Sequence, residues 1–264
     1  MASVDPRTWA TTIPVDARMA ILELVERNPP TAALEALTVC AKLLANVAAD
    51  PIKYGVLKSS SKALQERLLS REGGEAALVA LGFDADVAAG VFSWSSDAPA
   101  STIALQAGAI QAAHSICDAV REAIVSVGDT NTPTQAQGAV SLLCTYVGNV
   151  LMGGEEAPGF RRIGAANKSL CGRLLAASGG PNLLRASGFV PEPLTGPIAF
   201  VCAADVPTLR LVLGMLSRAG EIWGALAVAA AATTTAAAAS AAAQPNRQES
   251  TAPGAMEGVC RCAA

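Results

Sequence analysis

The chain has 264 residues, with 19 basic and 22 acidic side chains, a net charge of −3, and 52% hydrophobic but only 4% aromatic residues. A mildly acidic balance without a basic face excludes a strong non-specific nucleic-acid footprint and leaves room only for a local anion site. Alanine supplies much of the apolar content and β-branched runs are few, so a predominantly helical chain of one or two domains is expected.

Residues 1–13 read as a flexible arm, and Met1-Ala2-Ser3-Val4-Asp5-Pro6 has neither the basic nor the apolar segment of a secretory signal. Pro14 opens a helical pattern with Met19, Leu22 and Val25 at helical spacing. Asn28-Pro29-Pro30 ends it, because a residue before proline is pushed out of the α region. Thr31 can cap the next helix, whose stripe is Leu34, Leu37, Ala41, Leu44 and Val47, and Asp50-Pro51 breaks that helix. Ser59-Ser60-Ser61 offers N-cap oxygens to a helix from Lys62 to about Ser70, with Leu64, Leu68 and the stem of Arg67 turned inward. Gly73-Gly74 predicts a tight turn. A short helix from Glu75 to Leu81 should stop at Gly82, with Phe83 folding back on its end. Val91-Phe92-Ser93-Trp94 reads as a strand and Ser96-Asp97-Ala98-Pro99 as a turn.

A long helix is expected over 101–127, with Ile103, Ala107, Ile110, Ala113, Cys117, Val120, Ile124 and Val127 inward and Gly128 at its end. After a linker over 129–133, a helix carries Val140, Leu143, Val147 and Val150. A strand follows at Ile198-Ala199-Phe200-Val201. Asp205 and Pro207 start a last helix with Leu209, Val212, Leu216, Ala219 and Trp223 inward. Residues 225–243 are almost wholly Ala and Thr, which drive membrane insertion poorly, and read as a helix fading into low complexity.

One stretch occurs twice. Residues 62–83 align without a gap on residues 168–189, and eleven of the 22 positions match, among them Gly73-Gly74 on Gly179-Gly180 and Gly82-Phe83 on Gly188-Phe189. The order helix, helix, loop, helix, Gly-Gly turn, short helix, strand, long helix runs twice, so one supersecondary unit is built twice. The expected fold is α+β and predominantly helical: two units, each a helical bundle with a small antiparallel sheet. They span 14–118 and 119–230 and share the long helix. An Ala-rich, disordered tail over 231–264 follows.

Seven cysteines stand without a C-x-x-C pair, so neither a zinc site nor a disulfide framework is expected, and a reducing compartment is. His114 is the sole histidine, close to an apolar stripe. No spacing suggests a Cys-His-Asp apparatus, and no Walker, H-E-x-x-H or G-x-S-x-G motif occurs. No catalytic residue, cofactor or metal is therefore expected. A cysteine-dependent hydrolase, with Cys117 or another cysteine meeting His114 from a different element, is the weakest of the readings considered.

The residues that precede the shared stretch carry a resemblance. The first copy has Asn46-Val47, Lys53-Tyr54-Gly55, Ser61-Lys62-Ala63-Leu64 and Leu81-Gly82-Phe83; the second has Asn149-Val150-Leu151, Gly159-Phe160-Arg161, Asn167-Lys168-Ser169-Leu170 and Ser187-Gly188-Phe189. This pattern resembles the PUB domain, the peptide:N-glycanase/UBA- or UBX-containing module, over roughly residues 14–230. The resemblance implies a mainly helical α+β fold and a non-enzymatic binding function. It implies docking of the C-terminal tail of the valosin-containing AAA ATPase, or a similar acidic-aromatic peptide, as an adaptor in ubiquitin-dependent and ER-associated degradation, in cytoplasm or nucleus. The pocket it implies uses the Lys-Tyr and Asn positions. A helical scaffold of degenerate PUB folds with other protein partners is the alternative.

Such a peptide needs a local cation, a ring and an amide that can meet an extended backbone. Phe160, Arg161, Asn167 and Lys168 supply these in the second unit; Lys53, Tyr54, Lys58 and Ser61 are the candidates in the first. Ser61 stands where the family has Asn, Gly55 where it has Arg, and Leu64 and Leu170 where it has Phe, so the two units are not expected to bind alike. Capping alone would explain Asn167, and stapling alone Tyr54 and Phe160. Capping and peptide binding by Asn167 are compatible only if its amide nitrogen faces solvent.

Overall fold

The computed structural model describes residues 9–153, 158–192 and 199–242. The first helix, α1 (Trp9–Thr12), already departs from the expected arm. Trp9 is fully buried, Ala10 and Ile13 nearly so, and the Trp9 indole N–H donates to Thr208 Oγ1 at 3.3 Å. An indole is a large apolar surface with one polar atom, and here both are satisfied, which ties residues 9–13 into the core. Residues 1–8 lie outside the described residues.

Helix α2 (Val15–Arg27) buries Ala17, Ile21, Leu22, Leu24 and Val25; Leu22 and Val25 of the expected stripe lie inward and Met19 is exposed. Helix α3 (Pro30–Ala49) starts at Pro30 without a side-chain cap, which corrects the role given to Thr31: a proline in the first turn needs no N–H partner. Its buried Leu34, Leu37, Cys40, Ala41, Leu44 and Val47 follow the expected stripe. A one-turn α4 (Pro51–Tyr54) leads to β1 (Val56–Lys58). Then α5 (Lys62–Leu64) widens into a π-helical turn, Gln65–Leu69, with Leu64 and Leu68 buried and Arg67 exposed. Helix α6 (Gly74–Ala80) precedes β2 (Phe83–Asp86) and β3 (Val91–Trp94). The strands form an antiparallel sheet in the order β1-β3-β2, with Leu57 opposite Phe92 and Phe83 opposite Trp94. The Phe83 and Trp94 rings meet edge-to-face at 5.1 Å. Strands of three or four residues are too short to carry a clear alternating pattern, and of these three only β3 is expected from the sequence.

Helix α7 (Ala100–Thr130) packs against α1 and α3 and also against α8 (Pro133–Gly153) and α9 (Gly180–Ala186). It runs on past Gly128. A Cβ there would lie 2.6 Å from Trp223 Cζ2, so this glycine makes room for a ring and does not end the helix. Between α8 and α9 lie a 3₁₀ turn (Pro158–Arg161), β4 (Arg162–Gly164) and a second π-helical turn (Leu170–Leu175). Strands β5 (Phe189–Pro191) and β6 (Ala199–Cys202) complete a second antiparallel sheet, β4-β6-β5. Helix α10 (Val206–Ala242) starts at Asp205, whose Oδ1 accepts the Thr208 N–H at 2.9 Å, as expected. The fold is thus predominantly helical α+β with two small antiparallel sheets.

Contacts divide the chain into a body up to Ala227 and a remainder from Val228. The body has one hydrophobic core. In the remainder, α10 stays helical to Ala242, which corrects the expected disorder for residues 231–242. Alanine is the best helix former, and the hydroxyls of Thr233, Thr234 and Thr235 donate to carbonyls one turn back. The rest of the expected tail, with Cys260 and Cys262, lies outside the described residues. By length and composition α3 and α10 could each cross a bilayer; the apolar face of α3 is buried in the core.

Two devices repeat and explain the duplicated sequence. In each Gly-Gly turn the first glycine is left-handed, with φ of 80° at Gly73 and 81° at Gly179. The second lies against a carbonyl: a Cβ on Gly74 would overlap the Leu68 oxygen, and one on Gly180 the Leu174 oxygen. Each turn is held by an asparagine at the end of the unit's opening helix. Asn28 Nδ2 donates to Leu24 O and Glu72 O, both at 2.8 Å, and its Oδ1 accepts the Glu72 N–H at 3.2 Å. Asn131 does the same with Val127 O at 2.8 Å, Ser178 O at 2.9 Å and the Ser178 N–H at 3.1 Å. The stretch read as a linker over 129–133 therefore holds a helix end and its clamp.

Candidate functional site

In the first repeat, Asp50 caps α4 by accepting the Lys53 N–H at 3.0 Å. That places the Lys53 ammonium 4.9 Å from the centroid of the half-buried Tyr54 ring, a cation–π pair. Gly55 is buried; a Cβ on it would overlap the Pro51 carbonyl and touch Trp94 Cβ at 3.4 Å. The arginine of the PUB pattern has no room there without a shift of α4. Lys58 and Ser61 are exposed, and neither side chain has a partner among the described residues. The nearby hydroxyl of Ser59 donates to Gly90 O at 2.7 Å.

The second repeat builds the same backbone with other side chains. The Asn167 N–H bonds to Gly164 O as the Ser61 N–H does to Lys58 O, and each residue's own carbonyl accepts four residues on. Asn167, unlike Ser61, caps: its Oδ1 accepts the Leu170 N–H at 3.0 Å. The Tyr146 hydroxyl on α8 stands 3.4 Å from the same oxygen. With Oδ1 turned inward, Nδ2 is left without a partner among the described residues on an exposed side chain. Asn167 thus caps while its amide nitrogen stays unpaired among the described residues. Phe160 is 53% exposed and so is no core staple; the 3₁₀ turn that carries it and the π turn after Asn167 both pack on α8.

The cations divide. Arg161 is half-buried, and its Nη1 donates to Ala204 O at 3.0 Å and Cys202 O at 3.4 Å, so part of its guanidinium anchors the end of β6. Arg162 pairs with Glu192 at 2.7 Å. Lys168 is exposed and has no partner among the described residues. Arg173, also exposed, lies over Gly138 of α8, with its guanidinium 3.9 Å from where a Cβ would be. Burial pushes the Tyr146 phenol above its ordinary value, while Arg173 beside it pulls the other way.

Tyr146 and Arg173 are the residues sequence reading passed over. Arg173 matches Arg67 and reads as shared scaffold, although both are exposed. Tyr146 lies off the inner stripe of α8, and it emerges only when α3 and α8 are laid on one another and a tyrosine falls on Leu43.

Nothing else among the described residues gathers chemistry. Burial pushes the thiols of Cys40 and Cys117 up to about 12 and raises those of Cys144 and Cys202. A thiol at about 12 is protonated near neutrality and is no nucleophile. No group of three His, Cys, Asp or Glu side chains among the described residues could hold a metal ion. Two open grooves, of about 950 and 910 Å³, lie by α2 and α10 and by α6, and none of the candidate residues lines either.

No protein-family model matches the chain, and neither does any curated protein or solved structure.

Proposed function

We propose that the chain is a non-enzymatic adaptor of two PUB-like repeats. Its second repeat docks the C-terminal tail of the valosin-containing AAA ATPase, or a tail of the same acidic-aromatic chemistry, in ubiquitin-dependent degradation. The observation that carries this reading is the orientation of Asn167. Its oxygen is spent on the Leu170 N–H, which leaves its amide nitrogen without a partner among the described residues, in the same repeat as a half-exposed Phe160 and next in the chain to Lys168, itself unpaired among the described residues. An exposed ring, a free amide donor and a free cation are what an acidic-aromatic tail requires. The helix–sheet order, built twice, supports the PUB-like reading of the fold.

The first repeat is the scaffold half. Gly55 is walled in, Ser61 offers a hydroxyl and no amide, and the Lys53 ammonium already lies against Tyr54. These features favour the degenerate-scaffold alternative for this repeat alone. The buried cysteines lend the hydrolase reading no support, since the thiols of Cys40 and Cys117 are raised to about 12.

Calorimetry on the full chain with a short acidic-aromatic tail peptide tests the proposal. Binding is expected to fall about tenfold in Asn167→Ala, through loss of the amide contact to the peptide, and to be unchanged in Ser61→Ala. No binding by the intact chain, or binding indifferent to Asn167→Ala, would sink it.

A further inference from the structure

We propose that Tyr146 is the positioning residue of the second repeat's site, holding the Asn167 carboxamide so that its nitrogen faces the ligand as a donor. This rests on the peptide-docking reading above and adds to it a residue and a polarity. The Tyr146 hydroxyl stands 3.4 Å from Asn167 Oδ1, and the Leu170 N–H reaches the same atom at 3.0 Å. The Leu170 N–H can only donate, so it fixes that atom as the oxygen and turns the NH₂ away, and the phenol donates to the oxygen so fixed. A flipped amide would set its NH₂ against the Leu170 N–H and lose the cap. On an exposed side chain the cap alone holds the oxygen from one side, and the phenol holds it from another.

A second, independent observation comes from the repeat itself. Helices α3 and α8 superpose in sequence, with Leu37 on Val140, Leu44 on Val147 and Val47 on Val150, all buried. In that register Tyr146 falls on Leu43, and both are half-buried. In the register of the repeated stretch Asn167 falls on Ser61, whose hydroxyl has no partner among the described residues. The hydroxyl and the amide are present together in one repeat and absent together in the other. Leucine fills the half-buried position as packing, so packing does not account for a phenol there. The raised Tyr146 phenol stays protonated through the neutral range and so keeps the proton that it donates to the oxygen. The ligand group opposite Asn167 must then be an acceptor, a carbonyl or carboxylate of the tail, with Lys168 next in the chain to Asn167.

The test uses the full chain as wild type, Tyr146→Phe, Asn167→Ala and the double variant; phenylalanine keeps the ring and its packing. The first readout is the ¹⁵N relaxation of the Asn167 side-chain amide without ligand. Its order is expected to drop in Tyr146→Phe, and an unchanged amide overturns the inference whatever the peptide does. The second is calorimetry with the acidic-aromatic tail peptide. Tyr146→Phe is expected to bind about threefold to tenfold more weakly, as for one lost hydrogen bond, with no further loss on the Asn167→Ala background. Wild-type affinity in Tyr146→Phe, or the same loss on both backgrounds, overturns it. A wild-type chain that binds no such peptide removes the proposed function instead, and the amide order then decides the role of Tyr146 alone.

Discussion

The two repeats agree where the backbone is constrained and part where it is not. From Leu64 and Leu170 to Phe83 and Phe189 they share a π-helical turn, a left-handed glycine, a glycine walled by a leucine carbonyl, and an asparagine clamp. From Lys53 and Gly159 to Ser61 and Asn167 they share a backbone path, yet one repeat has a cation–π pair and an idle serine where the other has an exposed ring and a capping asparagine. A duplicated sequence keeps what its turns cannot do without. The surface above those turns is free to change, so function is to be sought in the half that diverged.

The comparison breaks most severely at the walled glycines. Gly74→Ala and Gly180→Ala each force a methyl into a carbonyl oxygen. Each is expected to cost about 3 kcal/mol or more, and by a similar amount, in urea unfolding. A tolerated alanine in either copy would show that the turn is not a common constraint. Next come the clamps. Asn28→Ala and Asn131→Ala each lose three bonds to backbone groups, one of them a turn N–H. Losses of about 2–3 kcal/mol are expected at the buried Asn28 and about 1–2 kcal/mol at the half-buried Asn131. The reverse order would mean that solvent exposure does not set the difference.

A smaller effect separates the diverged halves. Asn167→Ala should destabilise the fold by about 1 kcal/mol, because it removes a cap. Ser61→Ala should leave stability within about 0.5 kcal/mol of wild type, because the Ser61 side chain caps nothing. Thermal unfolding of the two variants side by side reads this directly. Equal losses would erase the distinction on which the second repeat's site is built.

What was legible follows the same line. The stripes of α3, α7 and α8 are periodic over many turns, so Leu37, Ile110 and Val140 could be placed inside from spacing alone. The Gly-Gly turns could be seen because glycine has few other reasons to recur at one spacing. Trp9 could not be placed, because its partner Thr208 is 199 residues away. Gly128 misled for a similar reason: a glycine near a helix end reads as a stop, and the Trp223 ring that it accommodates comes from another helix. In the site, Asn167 was visible as a cap or a ligand, but the choice depends on which way one amide is turned. Tyr146, which bears on that, lies on a different helix.

The finest probe is His114, on the helix that both repeats pack against. Burial lowers its pKa below the ordinary value, with Asp118 opposing and Arg121 reinforcing the shift. A histidine that holds its proton less tightly when folded makes protonation favour the unfolded chain. Its contribution is therefore fully present above the unfolded value of about 6.5, and it is lost as pH falls from there through the lowered folded value. Urea midpoints measured across this range should decline toward acid in wild type, and less so in His114→Gln. As the sole histidine, it also gives one NMR titration curve with no overlap. Because faces of α7 are buried against α3 on one side of the duplication and against α8 and α9 on the other, urea unfolding followed at His114 should coincide with unfolding followed by circular dichroism. Two separated transitions would mean that the repeats are independent domains joined by a long helix, and that the shared core does not couple them.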